Sequence, residues 1–174
     1  MTAAPRIAAV HCPEGGGADA AVAAVAARLV AAGLRLAGHV QRSVADDCGA
    51  VTMVEDVATG RLTPITQDLG RQATACALDP AALAGVAGQL LARLDDPVDL
   101  LIVNRFGRGE AEGGGLRAAI ERAALAGVPV LVMLRPPYRD AWEAFTGGTA
   151  DSLPAEESAI AAWVARALAG PAAA

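Results

Sequence analysis

The residues with the clearest capacity for chemistry lie in one short run, Cys12-Pro13-Glu14-Gly15-Gly16-Gly17-Ala18-Asp19. Consecutive glycines let a chain turn sharply and aim several N–H groups into one concavity. The helix predicted to follow adds the partial positive charge of its amino end. Together these features suit an oxyanion or a nucleotide phosphate. A hydrolytic phosphate loop reads glycine, four residues, glycine, lysine, then serine or threonine. In that register Cys12 stands at the first glycine, Gly17 at the second, Ala18 at the lysine and Asp19 at the hydroxyl residue. Ala18 brings no charge to a phosphate. Asp19 would repel one, although it can touch a metal ion. The spacing supports backbone binding through Gly15, Gly16, Gly17, Ala18 and Asp19, and argues against efficient hydrolysis. A plain turn that merely starts a helix is the competing reading.

The second group of candidates follows the apolar run Leu100-Leu101-Ile102-Val103. Phosphate-loop hydrolases end such a strand in a carboxylate that holds magnesium. Here the run ends in Asn104-Arg105. Asn104 is a weak metal ligand and Arg105 is none, but a guanidinium can clamp an anion with its forked donors. Arg108 is placed to assist, and Glu110 to pair with either arginine; surface ion pairs are the alternative. Gln41-Arg42, Gln67-Asp68 and Arg135-Tyr138-Arg139 follow strands or flank a hairpin, so Gln41, Arg42 and Arg139 join the candidate ligand set. Ordinary solvated loops would account for them equally. No metal site is assigned. His11, Cys12 and His39, with Cys48 or Cys76, are weak zinc-type candidates without tight ligand spacing. Cys12 beside a helix amino end is expected to have a lowered pKa, with His39 as its distant base in a nucleophile reading. Trp142, Phe145 and Trp163 read as core anchors.

These groups need a scaffold. Arg6–His11 predicts a buried strand, Asp19–Ala32 an amphipathic helix stopped by Gly33, and Leu34–Val40 a second strand. Gln41–Gly49 reads as a polar loop. Residues of about 51–66 predict a β-hairpin around Gly60, with Pro64 marking an edge strand. Asp79-Pro80 opens a helix to about Arg93. Leu100–Val103 and Val128–Leu134 are buried strands, the latter near an edge or starting just after Pro129. Helices are expected over Leu116–Ala126, Asp140–Phe145 and Ala155–Leu168. The sum is a three-layer α/β/α fold with a mainly parallel sheet. It forms one domain over residues 1–174, with its core at about 6–168.

Bulk properties narrow the partners. With 54% hydrophobic residues the chain is too apolar for disorder, and with only 3% aromatics its core must be aliphatic. The net charge of -5 argues against unspecific binding of nucleic acid or an anionic membrane. No apolar run reaches the roughly 18 residues of a membrane span, so no membrane insertion is expected. Three widely spaced cysteines do not make a disulfide framework. With a start that lacks a signal peptide, they indicate the cytoplasm. A small anionic ligand remains the expected partner, and a homo-oligomer or a protein partner stays open.

Several stretches carry a family resemblance. They are Gly17-Ala18-Asp19, Ala37–Gln41, Met53–Gly60, Ile65–Gly70, Cys76–Asp79, Leu100–Gly107, Glu110–Gly113 and Ala141-Trp142. From about residue 7 to 153 the chain resembles a bacterial domain-of-unknown-function family often encoded near molybdate-transport or molybdenum-enzyme genes. More distantly it is similar to small phosphate-loop nucleoside-triphosphatases. Of their functional residues only Gly17 has a counterpart; Ala18, Asp19, Asn104 and Arg105 depart from the pattern. The resemblance implies an inherited fold that has lost hydrolysis. It implies molybdate or another oxyanion as ligand, with a magnesium nucleotide less favoured. The leading expectation is a noncatalytic binding or accessory protein for a small oxyanion or phosphorylated ligand. A divergent phosphohydrolase, with Asp19, Asp68 or Glu110 as its metal carboxylate, is one alternative. An interaction module with a closed ancestral pocket is the other.

Overall fold

The computed structural model of the chain describes residues 6–14, 16–46, 49–67 and 78–170. Strand β1 (Ile7–His11) leads through the glycine turn into helix α1 (Ala18–Ala31). Strands β2 (Leu36–Asp46), β3 (Gly49–Asp56) and β4 (Leu62–Pro64) follow, then helix α2 (Pro80–Arg93). Strand β5 (Leu100–Phe106), the single turn α3 (Arg108–Ala111) and helix α4 (Arg117–Leu125) come next. Strand β6 (Val130–Leu134), helix α5 (Arg139–Thr146), strand β7 (Asp151–Leu153) and helix α6 (Glu157–Ala169) close the order.

The strands form one seven-stranded sheet in the order β4-β3-β2-β5-β6-β1-β7. The β2–β5, β5–β6, β6–β1 and β1–β7 pairs are parallel, and β2–β3–β4 is an antiparallel meander. Strands covered on both faces have little need of alternation, and β6 is buried at every position. Val22 and Val25 of α1, with Ile160 and Trp163 of α6, cover Val10, Ile102 and Met133 on one face. Leu90 of α2, Ile120 of α4 and Trp142 of α5 cover Leu101, Val103 and Val132 on the other. The result is a three-layer α/β/α fold with a mainly parallel sheet and a hairpin extension. Among the described residues, no helix is long and apolar enough to cross a membrane.

Local chemistry explains several boundaries. Asp79 caps α2 by accepting from Ala81 N at 2.9 Å and Ala82 N at 3.2 Å, with Pro80 in the first turn where no N–H is required. Pro64 sits on the edge strand β4, and β6 begins just after Pro129. Two expectations need correction. The predicted Gln41–Gly49 loop is strand over its first six residues: β2 runs on to Asp46, and Gln41 and Arg42 pair with Val54 and Met53 of β3. The meander supplies the ladder partners that a polar stretch needs to stay extended. Strand β7 has no counterpart in the sequence reading; it is only three residues long and takes its partners from Ala8–Val10 of β1.

Gly38 is the joint between the two parts of β2. Leu36–Gly38 pair in parallel with Leu100–Ile102, and from His39 onward the strand pairs with β3. Its φ is +118°, and a Cβ there would lie 1.7 Å from the carbonyl oxygen of Ile102. Only glycine permits this approach.

Candidate functional site

Open parallel sheets place ligands at the carboxyl ends of strands, where neighbouring crossovers leave by opposite faces. The chain after β1 enters α1 on one face, and the chain after β6 enters α5 on the other. β1 and β6 are adjacent. Their carboxyl ends, His11-Cys12 and Leu134-Arg135, therefore mark the crevice.

On the α1 face lies the glycine turn. Gly16 and Gly17 have φ values of +82° and +97°, and Gly17 caps α1 without a side-chain hydrogen bond. Gly16 N donates to Pro13 O at 3.1 Å, so one turn amide is already used. The amides that open α1 lack intrahelical acceptors. Gly15 lies outside the described residues. Ala18 is buried.

Asp19, in the first turn of α1, meets Arg105 from the end of β5. Arg105 donates to both carboxylate oxygens, at 2.9 and 2.6 Å, and also to Asn104 O at 2.6 Å. Asp19 Oδ1 accepts as well from Gln41 N at 3.2 Å. Burial works against the Arg105 charge, but the hydrogen bonds and charge of Asp19 outweigh it and raise its pKa. A phosphate loop puts its cation in the turn and its carboxylate at the far strand end. Here the two signs are exchanged, and the two groups satisfy each other. Asn104 is buried beside them.

Cys12 packs on the same face. Its thiol is pushed up by burial, which outweighs the opposing pull of Arg105 and Arg135. The expected activation by the helix end is therefore overturned: desolvation of a thiolate costs more than the nearby positive charge returns.

His11 and Arg139 belong to the opposite face. Together with Trp142, Glu143 and Ser152 they line a cleft of about 370 Å³ beneath α5. His11 Nε2 and Ser152 Oγ are 2.6 Å apart. Burial, and then the charge of Arg139, lower the His11 pKa. Arg42 pairs with Glu55 across the meander. His39 is buried on β2 with its Nδ1 unpartnered; burial lowers its pKa while Asp56 pulls it up. His11, Cys12 and His39 thus occupy three different environments. Among the described residues, no cluster of three or more histidine, cysteine or acidic side chains is placed to hold a metal ion. Cys48, Asp68 and Cys76 lie outside the described residues.

Glu110 pairs with neither arginine. It is buried and accepts from Gly107 N at 3.0 Å and Leu116 N at 2.8 Å, fixing the loop after β5, while Arg108 pairs with Glu112. The sequence reading missed Ser152 and Glu143. Ser152 belongs to the short strand β7, and no local motif surrounds either residue.

Residues 7–163 match the profile of a family described as a protein of unknown function, DUF2478, and the chain belongs to that family. It is also similar to a molybdenum import ATP-binding protein, ModC 2, of Bradyrhizobium diazoefficiens, with 40% identity over 147 residues. That match covers 83% of this chain but 16% of the relative, so the chain spans less than a fifth of that protein's length. No solved structure matches. With this similarity, the strand–turn–helix opening and the sheet order make the fold phosphate-loop-NTPase-like, with a degenerate loop.

Proposed function

We propose that this chain is a noncatalytic binding domain for a small oxyanion or phosphorylated ligand, acting in the cytoplasm in molybdenum handling. The observation that carries the reading is the charge-exchanged pair of Asp19 and Arg105. Hydrolysis needs a cation on the transferred phosphate and a carboxylate on its magnesium ion. Here the carboxylate of the turn is held by an arginine, and the strand end that would carry the metal ligand reads Asn104-Arg105. What remains is suited to binding: the open amides of α1, the helix dipole, and a guanidinium that can exchange Asp19 for an incoming anion. The molybdenum assignment draws support from the name of the relative, and the share of that relative left unmatched is large enough to hold its ATP-binding function elsewhere.

The test is thermal stability of metal-free protein against molybdate, tungstate, sulfate, phosphate, ATP and GTP, each with and without magnesium. A ligand present at 100 times its Kd stabilises by about 2.7 kcal/mol. For a chain of this size that is a shift of roughly 5–10 °C. The reading expects a shift with molybdate or tungstate that does not need magnesium and disappears in Arg105→Ala. A magnesium-dependent nucleotide shift accompanied by turnover would replace it with the divergent hydrolase. No shift with any of these ligands would leave the interaction module.

A further inference from the structure

The cleft beneath α5 opens at the same crevice as the glycine turn but on the other face of the sheet, and the reading above does not use it. Its volume of about 370 Å³ lies in the range of small-ligand sites. Its wall is anchored: Trp142 packs edge-on against Phe106 at a centroid distance of 5.1 Å, which holds α5 over the ends of β1 and β6. Ala9, Leu134 and Trp142 give the floor an apolar surface.

The charged groups at the rim are unevenly committed. Asp151 accepts from the indole Nε1 of Trp163 at 2.7 Å, and Thr146 Oγ1 donates to Trp142 O at 2.9 Å. His11 and Ser152 hold each other. Burial, and then the charge of Arg139, favour the neutral form of His11. Arg139 and Glu143 remain. They stand one turn apart on α5, both exposed and both lining the cleft, and neither has an ion-pair partner among the described residues. Arginine before glutamate is the less favourable order for an i,i+4 pair, so their mutual attraction is weak. The cleft thus offers one available cation and one available anion above an apolar floor.

We propose that this cleft is a second ligand site, for a small zwitterion of the α-amino-acid type. Its carboxylate meets the Arg139 guanidinium and the Ser152 hydroxyl, its ammonium meets Glu143, and its side chain lies toward Trp142 and Leu134. A bare oxyanion fits less well, because Glu143 shares the space with Arg139. The charge balance thereby distinguishes this site from the glycine turn.

Isothermal titration with glycine, L-alanine and L-leucine, set against propionate and ethylammonium, tests the assignment. Binding of one or more of the amino acids is expected, with each single-charge analogue weaker by roughly tenfold or more. Arg139→Gln and Glu143→Gln are both surface changes, and circular dichroism checks that each variant folds. Each should lose about tenfold in amino-acid affinity, while Arg105→Ala leaves it unchanged. The proposal is overturned if no amino acid binds, if propionate binds as tightly as alanine, or if either glutamine variant keeps wild-type affinity. An effect of Arg105→Ala would move the site to the glycine turn and overturn it too. Because Arg105 serves only the other face, failure here leaves the oxyanion reading standing, and the converse holds.

Discussion

Replacing Asp19 with asparagine should move stability and anion affinity in opposite directions. In the folded chain Asp19 occupies the donors of Arg105 that an oxyanion would use. The side chains keep 23% and 27% of their surface exposed for Arg105 and Asp19. Fully exposed pairs contribute at most about 1 kcal/mol. Losing one partner of a fully buried pair costs about 3–5 kcal/mol. A coupling of about 1.5 kcal/mol is the intermediate value these exposures call for. With a urea m-value near 2 kcal/mol per molar, Asp19→Asn should lower the midpoint by roughly 0.7 M. The same energy no longer opposes an incoming anion, so affinity for whichever oxyanion shifts the wild type should rise by about tenfold. The assay is a double-mutant cycle of Asp19→Asn, Arg105→Gln and the double variant in urea, with titrations on the single variants. A coupling under about 0.3 kcal/mol, within the additivity error of such cycles, would mean that the pair does not act as a unit. Weaker anion binding by Asp19→Asn would refute the idea that Asp19 competes with the ligand.

Two further predictions concern the scaffold. Gly38→Ala should destabilise by about 4 kcal/mol, from backbone strain at positive φ, overpacking and lost ladder bonds. Gly33→Ala, with a φ of +88° and open space around its Cβ, should cost only about 1 kcal/mol; equal urea midpoints for the two would show that the contact with Ile102 is not limiting. The chain has two histidines, and both have lowered pKa values in the folded state. The unfolded chain therefore binds protons first, and the stability they contribute is present above their unfolded pKa of about 6.5 and lost as pH falls below it. The loss is at most about 1.4 kcal/mol per pH unit for each histidine. His39→Leu should remove its share of the slope measured by urea melts below about pH 6.5, leaving that of His11; an unchanged slope would contradict burial of a neutral His39.

The sequence was most legible where one residue type determines a local outcome. Asp79-Pro80 opens a helix because its carboxylate can reach two amides and proline needs none. Pro64 cannot donate to a ladder, so it fell on an edge. The hairpin around Gly60 follows from the turn. It was least legible where partners are far apart in the chain. Arg105 and Asp19 are 86 residues apart, and His11 and Ser152 are 141 apart. One signal for the first pair was nonetheless present: among the positions that depart from the phosphate-loop pattern, the two that carry charge, Asp19 and Arg105, carry opposite signs. Taken singly, each looked like a lost function. Taken together, they describe a pair. The Gln41–Asp46 extension was hidden for another reason, since its polar residues are held in a strand by the meander rather than by a buried face.

The exchange of charge also decides what a ligand must do. In a phosphate loop the cation waits in the turn, and phosphate adds to a preformed positive site. Here Asp19 already fills the Arg105 fork, so an anion gains that guanidinium only by displacing a carboxylate, which then faces the anion from the first turn of α1. On the proposed reading, affinity would be held down by the energy of the pair, and selectivity would fall to anions whose charge and size make the exchange favourable. A nucleotide would bring its magnesium toward Asp19, but only after Arg105 had released it. The ion pair is thus a direct physical reason for favouring a small, metal-free oxyanion over a magnesium nucleotide at this turn. Across the sheet, Arg139 has no ion-pair partner among the described residues, although Glu143 stands one turn away on α5. On the two proposals, that difference would suit the two faces of one crevice to different ligands.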